Sequence, residues 1–181
     1  MKPTFFFNGS IYSKLDDKNR FVLPQQMRDG LIENGELKFT LSLGLGGCLA
    51  IYKRSDIERI VEKFRRMQHL AKYQKAFTYF FSTLHHSTCD KLGRVVLPPV
   101  LKRLGKIESE IVIAGVLNRI EIWPKEGYEK DLEAFFGKRE GGALDLTEAL
   151  FASLDDNAQE KAFQRNQEQE TCEEVGCHIF Q

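Results

Sequence analysis

Two pairs of opposite charges carry the chemistry this chain offers. Asp16 and Arg20 stand four residues apart, and so do Asp90 and Arg94. An arginine presents a planar fork of donors that grips a phosphate, or the acceptor edge of guanine, at two points at once. An aspartate facing a phosphate would be repelled, so Asp16 and Asp90 belong on their own turns, bonding the arginine or the turn backbone. The flanking residues repeat too. Residues 16–24 read DDKNRFVLP and residues 90–98 read DKLGRVVLP, in register at one offset of 74. A segment repeated at that separation marks duplicated structural units. Lys14 and Lys18 beside the first motif and Lys91 beside the second are candidates for phosphate contacts that make affinity salt-dependent.

Other residue clusters carry less. His85-His86 with Cys89 invites a metal, but adjacent side chains of an extended segment point apart, and the first half has no matching group. Cys172, Cys177 and His178 lack zinc-site spacing. The glycines of 44–47 lack the Lys-Ser/Thr ending of a phosphate loop and fall inside a hairpin. No pair of acids and no nucleophile–base set recurs in both halves. No catalytic residue, metal or cofactor is expected. The run Lys63-Phe64-Arg65-Arg66 reads as a solvated helix face, with added phosphate contacts or subunit salt bridges as the other reading. Phe77, Tyr79, Phe80 and Phe81 are too consecutive to make one base-stacking platform and read as core or subunit interface.

The elements that must position the two motifs follow from local chemistry. An apolar run and a loose alternation over residues 5–15 predict a strand, with Ile11 and Leu15 facing inward. Asp16–Asn19 is a turn, and Gly93 stands in the second copy where Asn19 stands in the first. Those two residue types adopt left-handed backbone most readily, so both copies make the same turn. Arg20–Leu23 and Arg94–Leu97 are the returning strands. Pro24 and Pro98 end them and open short helices over Gln25–Leu31 and Pro99–Leu104. Strands are expected at Glu36–Leu43 and Cys48–Tyr52, and again at Ile111–Gly115 and Arg119–Trp123. Ser55 and Glu58 have capping-box spacing, predicting a helix from there to about His69, with Ile57, Ile60, Val61 and Phe64 as its apolar face. Further helices are expected at Ala71–Phe81 and Glu126–Phe136, with helical stretches in 143–164 carrying Leu146, Leu150 and Leu154. Each half therefore reads strand, turn, strand, short helix, hairpin, helix.

The 181 residues, 42% hydrophobic and 11% aromatic, suit a globular chain. Four cysteines do not make a disulfide framework. The first ten residues do not read as a signal peptide, and no run nears the ~20 apolar residues of a membrane helix. A soluble cytoplasmic protein is expected. The formal net charge of zero conceals a division: 22 Lys+Arg against 16 Asp+Glu through Gly137, then 4 against 10 to the end. A basic body suited to a polyanion precedes an acidic tail. The tail is expected to fold back on the basic face and weaken non-specific nucleic-acid binding.

The doubled Asp-x-x-x-Arg motif, each followed by a β run and a proline, then a hairpin ending in Tyr52 or Trp123, then a helix, resembles the MraZ family of bacterial transcriptional regulators. The resemblance covers about residues 5–137. MraZ units are in turn similar to the swapped-hairpin domains of AbrB-type DNA-binding proteins. The resemblance implies an α+β fold of tandem swapped-hairpin β-barrel units, related by a pseudo-two-fold axis, with flanking helices. It divides residues 5–137 into a first repeat at 5–82 and a second at 83–137; the residues after them, 138–181, read from their own composition as an acidic, partly helical tail. It implies a homo-oligomer, ring-like, on double-stranded DNA carrying tandem short repeats upstream of its own gene, within a cell-division and cell-wall cluster. It implies no enzymatic activity, no cofactor, no small-molecule substrate and no membrane, and a cytoplasmic, nucleoid-associated location. Carried over by position, the DNA-contacting residues are Arg20 and Arg94, supported by Lys14, Lys18 and Lys91. Asp16, Asn19, Asp90 and Gly93 structure the turns. This chain departs from the family pattern at Asn19, where glycine is usual. A second reading stays open: an antitoxin-like or assembly protein of the same class that mainly binds a protein partner.

Overall fold

Left-handed backbone at two equivalent points lays out the fold. The computed structural model describes residues 5–137 and 145–154. Asn19 has φ 53° and Gly93 has φ 77°. Each turns the chain from a first strand into a short returning strand: β1 (Ser10–Lys14) into β2 (Arg20–Val22), and β7 (His85–Ser87) into β8 (Arg94–Val96). Proline then stops each returning strand and a short helix follows, α1 (Gln25–Leu31) and α4 (Pro99–Leu104). Next in the first half come the ribbon β3 (Ile32–Glu33) and β4 (Glu36–Leu37), the hairpin β5 (Phe39–Leu43) and β6 (Leu49–Lys53), and the helices α2 (Arg54–Arg65) and α3 (Gln74–Ser82). The second half has the hairpin β9 (Glu110–Val116) and β10 (Arg119–Pro124), then α5 (Lys125–Gly137).

The halves interleave. One antiparallel sheet runs β1-β9-β10-β6-β5-β7, so each first strand pairs with the hairpin of the other half. The order is the same from either edge when each strand is exchanged for its counterpart. The central register agrees: Ile120 faces Ile51 and Ile122 faces Leu49. The returning strands leave this sheet and pair with each other, Arg20 against Val96, Phe21 against Val95 and Val22 against Arg94.

Burial arranges three layers. Leu41, Leu49, Ile51, Ile111, Ile113, Ile120 and Ile122, all fully buried, line one face of the six-stranded sheet. Against them pack the inner face of the β2–β8 ribbon, Phe21 and Val95, and the residues after it, Leu23, Met27, Leu31, Leu97 and Leu101. On the other face Ala50 and Tyr52 pack with Ile57 and Ile60 of α2 and Phe80 of α3. Phe64 gathers Phe77, Phe80 and Phe81, while Tyr79 is exposed. By internal contacts the chain divides into residues 1–129 and 130–181. In the second unit residues 145–154 are helical, with Leu146, Leu150 and Leu154 exposed. Cys172, Cys177, His178 and the acidic terminus lie outside the described residues.

Several sequence expectations need correction. Glu36–Leu43 is not one strand. Asn34 at φ 53° and Gly35 at φ 80° close a two-residue hairpin between β3 and β4, as Asn-Gly favours, and the chain re-enters the main sheet only at Phe39. Ser55 and Glu58 form no capping box. The Ser55 hydroxyl and backbone N–H both donate to Glu33 of β3, and Glu58 pairs with Arg54. A carboxylate from another element thus meets the start of α2, at the positive end of its dipole. The helix ends at Arg65 rather than near His69, and the 71–81 helix opens with a tighter turn at Ala71–Tyr73. Ile11 is 39% exposed, because β1 is an edge strand; Leu15 does pack on the core.

Candidate nucleic-acid interface

The site is built twice from the same bonds. In the first copy, Asp16 Oδ1 accepts the backbone N–H groups of Lys18 and Arg20, each at 2.9 Å. Its Oδ2 accepts the Arg20 Nε–H at 2.8 Å and lies 2.7 Å from Nη2. In the second copy, Asp90 Oδ1 accepts from Leu92 N–H and Arg94 N–H, each at 2.9 Å, and Oδ2 accepts Arg94 Nε–H at 2.7 Å. The loops close alike: Asn19 N–H donates to Asp16 O and Gly93 N–H to Asp90 O, both at 2.9 Å. One oxygen of each aspartate fixes the turn while the other orients the guanidinium. The side-chain bond from Arg20 holds the Asp16 carboxyl down at about 2. The backbone N–H of Arg94 is the main cause of the lowered Asp90 value, with the Arg94 side chain adding to it. Asp16 in turn raises Arg20 above the usual guanidinium value. Both aspartates therefore stay charged at neutral pH.

The ribbon sets where the arginines point. Successive residues of a strand face opposite ways, and directly paired residues share a face. With Phe21 and Val95 in the core, Arg20, Val22, Arg94 and Val96 make up the outer face. Val22 is 50% exposed and Val96 51%. The arginines occupy one diagonal of this four-residue face and the valines the other, a diagonal of about 7–8 Å between Cα atoms. The Arg20 side chain is 23% exposed and that of Arg94 32%, anchored at one edge and open at the other. A guanidinium carries five N–H donors, and the aspartate occupies only one side of the fork.

The lysines divide. Lys18 and Lys91 lie in the two turns and are exposed. Lys14 sits opposite Glu110 in the β1–β9 register and pairs with that carboxylate at 2.9 Å, so its charge is offset locally. Lys125 reaches the same Glu110 at 3.1 Å.

Two residues missed in the sequence belong here. Lys102 of α4 donates from Nζ to Asn19 Oδ1 at 2.6 Å. Arg28 of α1 lies against Gly93: a Cβ built there would stand 2.7 Å from Arg28 Cζ and 2.9 Å from both Nε and Nη1. Arg28 and Lys102 are themselves counterparts at the offset of 74, eight residues beyond each motif arginine. Extending the repeat alignment into the short helices would have found them.

His86 Nδ1 lies 2.9 Å from Thr40 Oγ1 on the neighbouring strand, while Cys48 is buried and Cys89 half-buried. Burial pushes the Cys48 thiol up to about 12 and the Cys89 thiol up to about 11. Among the described residues no group of three His, Cys, Asp or Glu is placed to hold a metal, and no helix is long and apolar enough to cross a membrane.

A solvent-facing ribbon of duplicated, clamped arginines is the build of a binding module, one whose ligand is met on a surface. Comparison with known proteins gives the module its family. The family model described as "MraZ protein, putative antitoxin-like" matches twice in succession, over residues 6–80 and 80–139. A Transcriptional regulator MraZ from Pediococcus pentosaceus is 34% identical over 128 residues, 70% of this chain and 87% of the relative. Others of that name from Clostridium beijerinckii and Desulforamulus reducens are 37% and 31% identical, covering 68% and 77% of this chain. The chain belongs to the MraZ family, and these relatives bear the name of transcriptional regulators.

Proposed function

We propose that this protein is a sequence-specific DNA-binding transcriptional regulator whose reading residues are Arg20 and Arg94. One observation carries the proposal: both arginines, each held by its own aspartate, share the outer face of a single two-stranded ribbon. Arginine oriented by a carboxylate meets a phosphate or guanine with little conformational entropy left to lose. Lys18 and Lys91 flank that face and add phosphate contacts, and Lys14 adds one only by giving up its pairing with Glu110.

The finer reading follows the family. The interleaved strands support swapped-hairpin β-barrel units related by a pseudo-two-fold axis, within repeats at 5–82 and 83–137 and a tail at 138–181. The protein acts as a ring-like homo-oligomer on tandem short repeats in double-stranded DNA upstream of its own gene. Regularly spaced copies turn weak single contacts into avidity. Its targets are a cell-division and cell-wall gene cluster, and it works in the cytoplasm at the nucleoid. It is not an enzyme. The acidic tail competes with DNA for the basic body. The matched family's antitoxin-like description and the exposed Val22 and Val96 favour one second reading, a protein partner on the same face.

The test is a fluorescence-anisotropy titration with the DNA upstream of the gene and with scrambled DNA, at two salt concentrations. Arg20→Ala and Arg94→Ala run in parallel, and light scattering follows oligomer size. The expected result is a salt-sensitive preference for the native DNA that either substitution abolishes with the oligomer intact. No preference over scrambled DNA would overturn the regulator reading in favour of the protein partner.

A further inference from the structure

Each half of the molecule holds the turn of the other. At the first turn, Asn19 is engaged twice from the second half: its carbonyl accepts the Leu97 N–H at 2.8 Å, and its side chain accepts the Lys102 ammonium. At the second turn, the Gly93 carbonyl accepts the Leu23 N–H at 2.9 Å, and the Arg28 guanidinium covers its Cα, both from the first half. The three guanidinium atoms lie at nearly equal distances from the point where a Cβ would stand. The planar head therefore presents its face to the glycine.

We propose that Arg28 and Lys102 are positioning residues for the reading arginines and act crosswise: Lys102 sets Arg20 and Arg28 sets Arg94. Each cation has a matched seat. The flat guanidinium needs the bare backbone of Gly93, and Arg28 Nε is buried there with no acceptor. The compact ammonium of Lys102 needs a donor's counterpart, and the Asn19 amide oxygen supplies it. Asn19 keeps the left-handed backbone that glycine would also give. The seat lies one residue before the arginine in each copy, so a shift in the turn moves the guanidinium directly. The consequence is coupling: each half is set for DNA by the other, and one displaced brace weakens the hold of the opposite repeat's arginine on DNA. The DNA part of this inference rests on the function proposed above, whereas the crosswise geometry does not.

The experiment reads both. The Nε–H resonances of Arg20 and Arg94, held by Asp16 and Asp90, are followed by ¹⁵N NMR in the wild type, Lys102→Met and Arg28→Met. Segmental or methyl-based labelling keeps the oligomer tractable. Lys102→Met is expected to shift and broaden the Arg20 signal and leave that of Arg94, and Arg28→Met to do the reverse. Disturbance of the same-half arginine, or of neither, overturns the proposal. In DNA titrations Lys102→Met lowers affinity roughly twofold to thirtyfold, and adds no loss once Arg20 is alanine. A loss that instead adds fully to Arg20→Ala would make Lys102 a direct phosphate contact and overturn the positioning role. Importing the first copy's pair into the second, Arg28→Lys with Gly93→Asn, restores the Arg94 signal that Gly93→Asn alone disturbs. If the wild type binds no DNA, the regulator reading fails while the resonances still decide the brace.

Discussion

Gly93→Ala tests the second turn where its geometry is tightest. The backbone at Gly93 has φ 77°, which costs a residue with a Cβ about 1–2 kcal/mol. The new methyl also meets the Arg28 head, at 2.7 Å from Cζ. Overpacking costs about 1–3 kcal/mol where the neighbours cannot yield. Here the neighbour is the far end of a flexible side chain, so the low end applies. The two effects give a loss of about 2–3 kcal/mol, or about 4–12 °C in Tm at the ~2–4 °C per kcal/mol of a chain this size. Thermal denaturation followed by circular dichroism measures it, with a double-mutant cycle against Arg28→Ala separating the parts. The steric part disappears in the Arg28→Ala background and the backbone part remains. An unchanged increment in that background would refute the packing of Arg28 on Gly93. A Tm shift below about 2 °C would refute the strained-backbone argument itself.

Asp16→Asn and Asp90→Asn keep an oxygen for the two backbone donors and set an amide N–H against the arginine N–H. Both variants should melt below wild type, because the charge that holds each arginine is gone, and lose affinity for the native DNA by anisotropy, whereas the alanine variants lose the backbone bonds as well and melt lower still. The Asp16 carboxyl titrates near 2 in the folded chain against an ordinary value of 3.8. A depressed folded value gives stability that is complete above the ordinary value and is lost as pH falls toward 2. Urea midpoints should therefore fall between about pH 4 and pH 2, with a flatter profile in Asp16→Asn and none of this dependence above about pH 5. Cys48 and Cys89, with thiols raised by burial to about 12 and about 11, should resist iodoacetamide at pH 8 in the native protein and react on denaturation, read by peptide mass spectrometry.

The turns and the helices after them were legible because their causes are local. A carboxylate two and four residues before backbone donors, a residue tolerant of positive φ, and a proline that ends a strand are all visible in nine residues. The α1 and α4 spans follow from Pro24 and Pro98 and are observed as expected. What misled were cases where two local signals competed or a distant group intervened. Asn34-Gly35 is a strong hairpin signal, yet the alternation of Leu37, Phe39, Leu41 and Leu43 that follows suggested one long strand. Ser55 and Glu58 have the spacing of a capping box, but Glu33 arrives from another element and takes Ser55. Nothing in the sequence near Ser55 announces that carboxylate.

The exchange of first strands between halves is the least local feature and the one that makes the site. The offset of 74 shows that two units exist but not which strand pairs with which. A duplicated unit closed on itself and one that trades β1 for β7 have the same hydrophobic pattern. The six-stranded order decides between them, and it brings β2 beside β8. Only then do Arg20 and Arg94 share a face, and only then do Lys102 and Arg28 reach Asn19 and Gly93. The departure at Asn19 also gains a physical reason: where the brace is a lysine, an asparagine gives it an acceptor; where the brace is an arginine, glycine leaves it room. Turn and brace vary together in the two copies, so the sequence difference between the halves reflects a contact made across them.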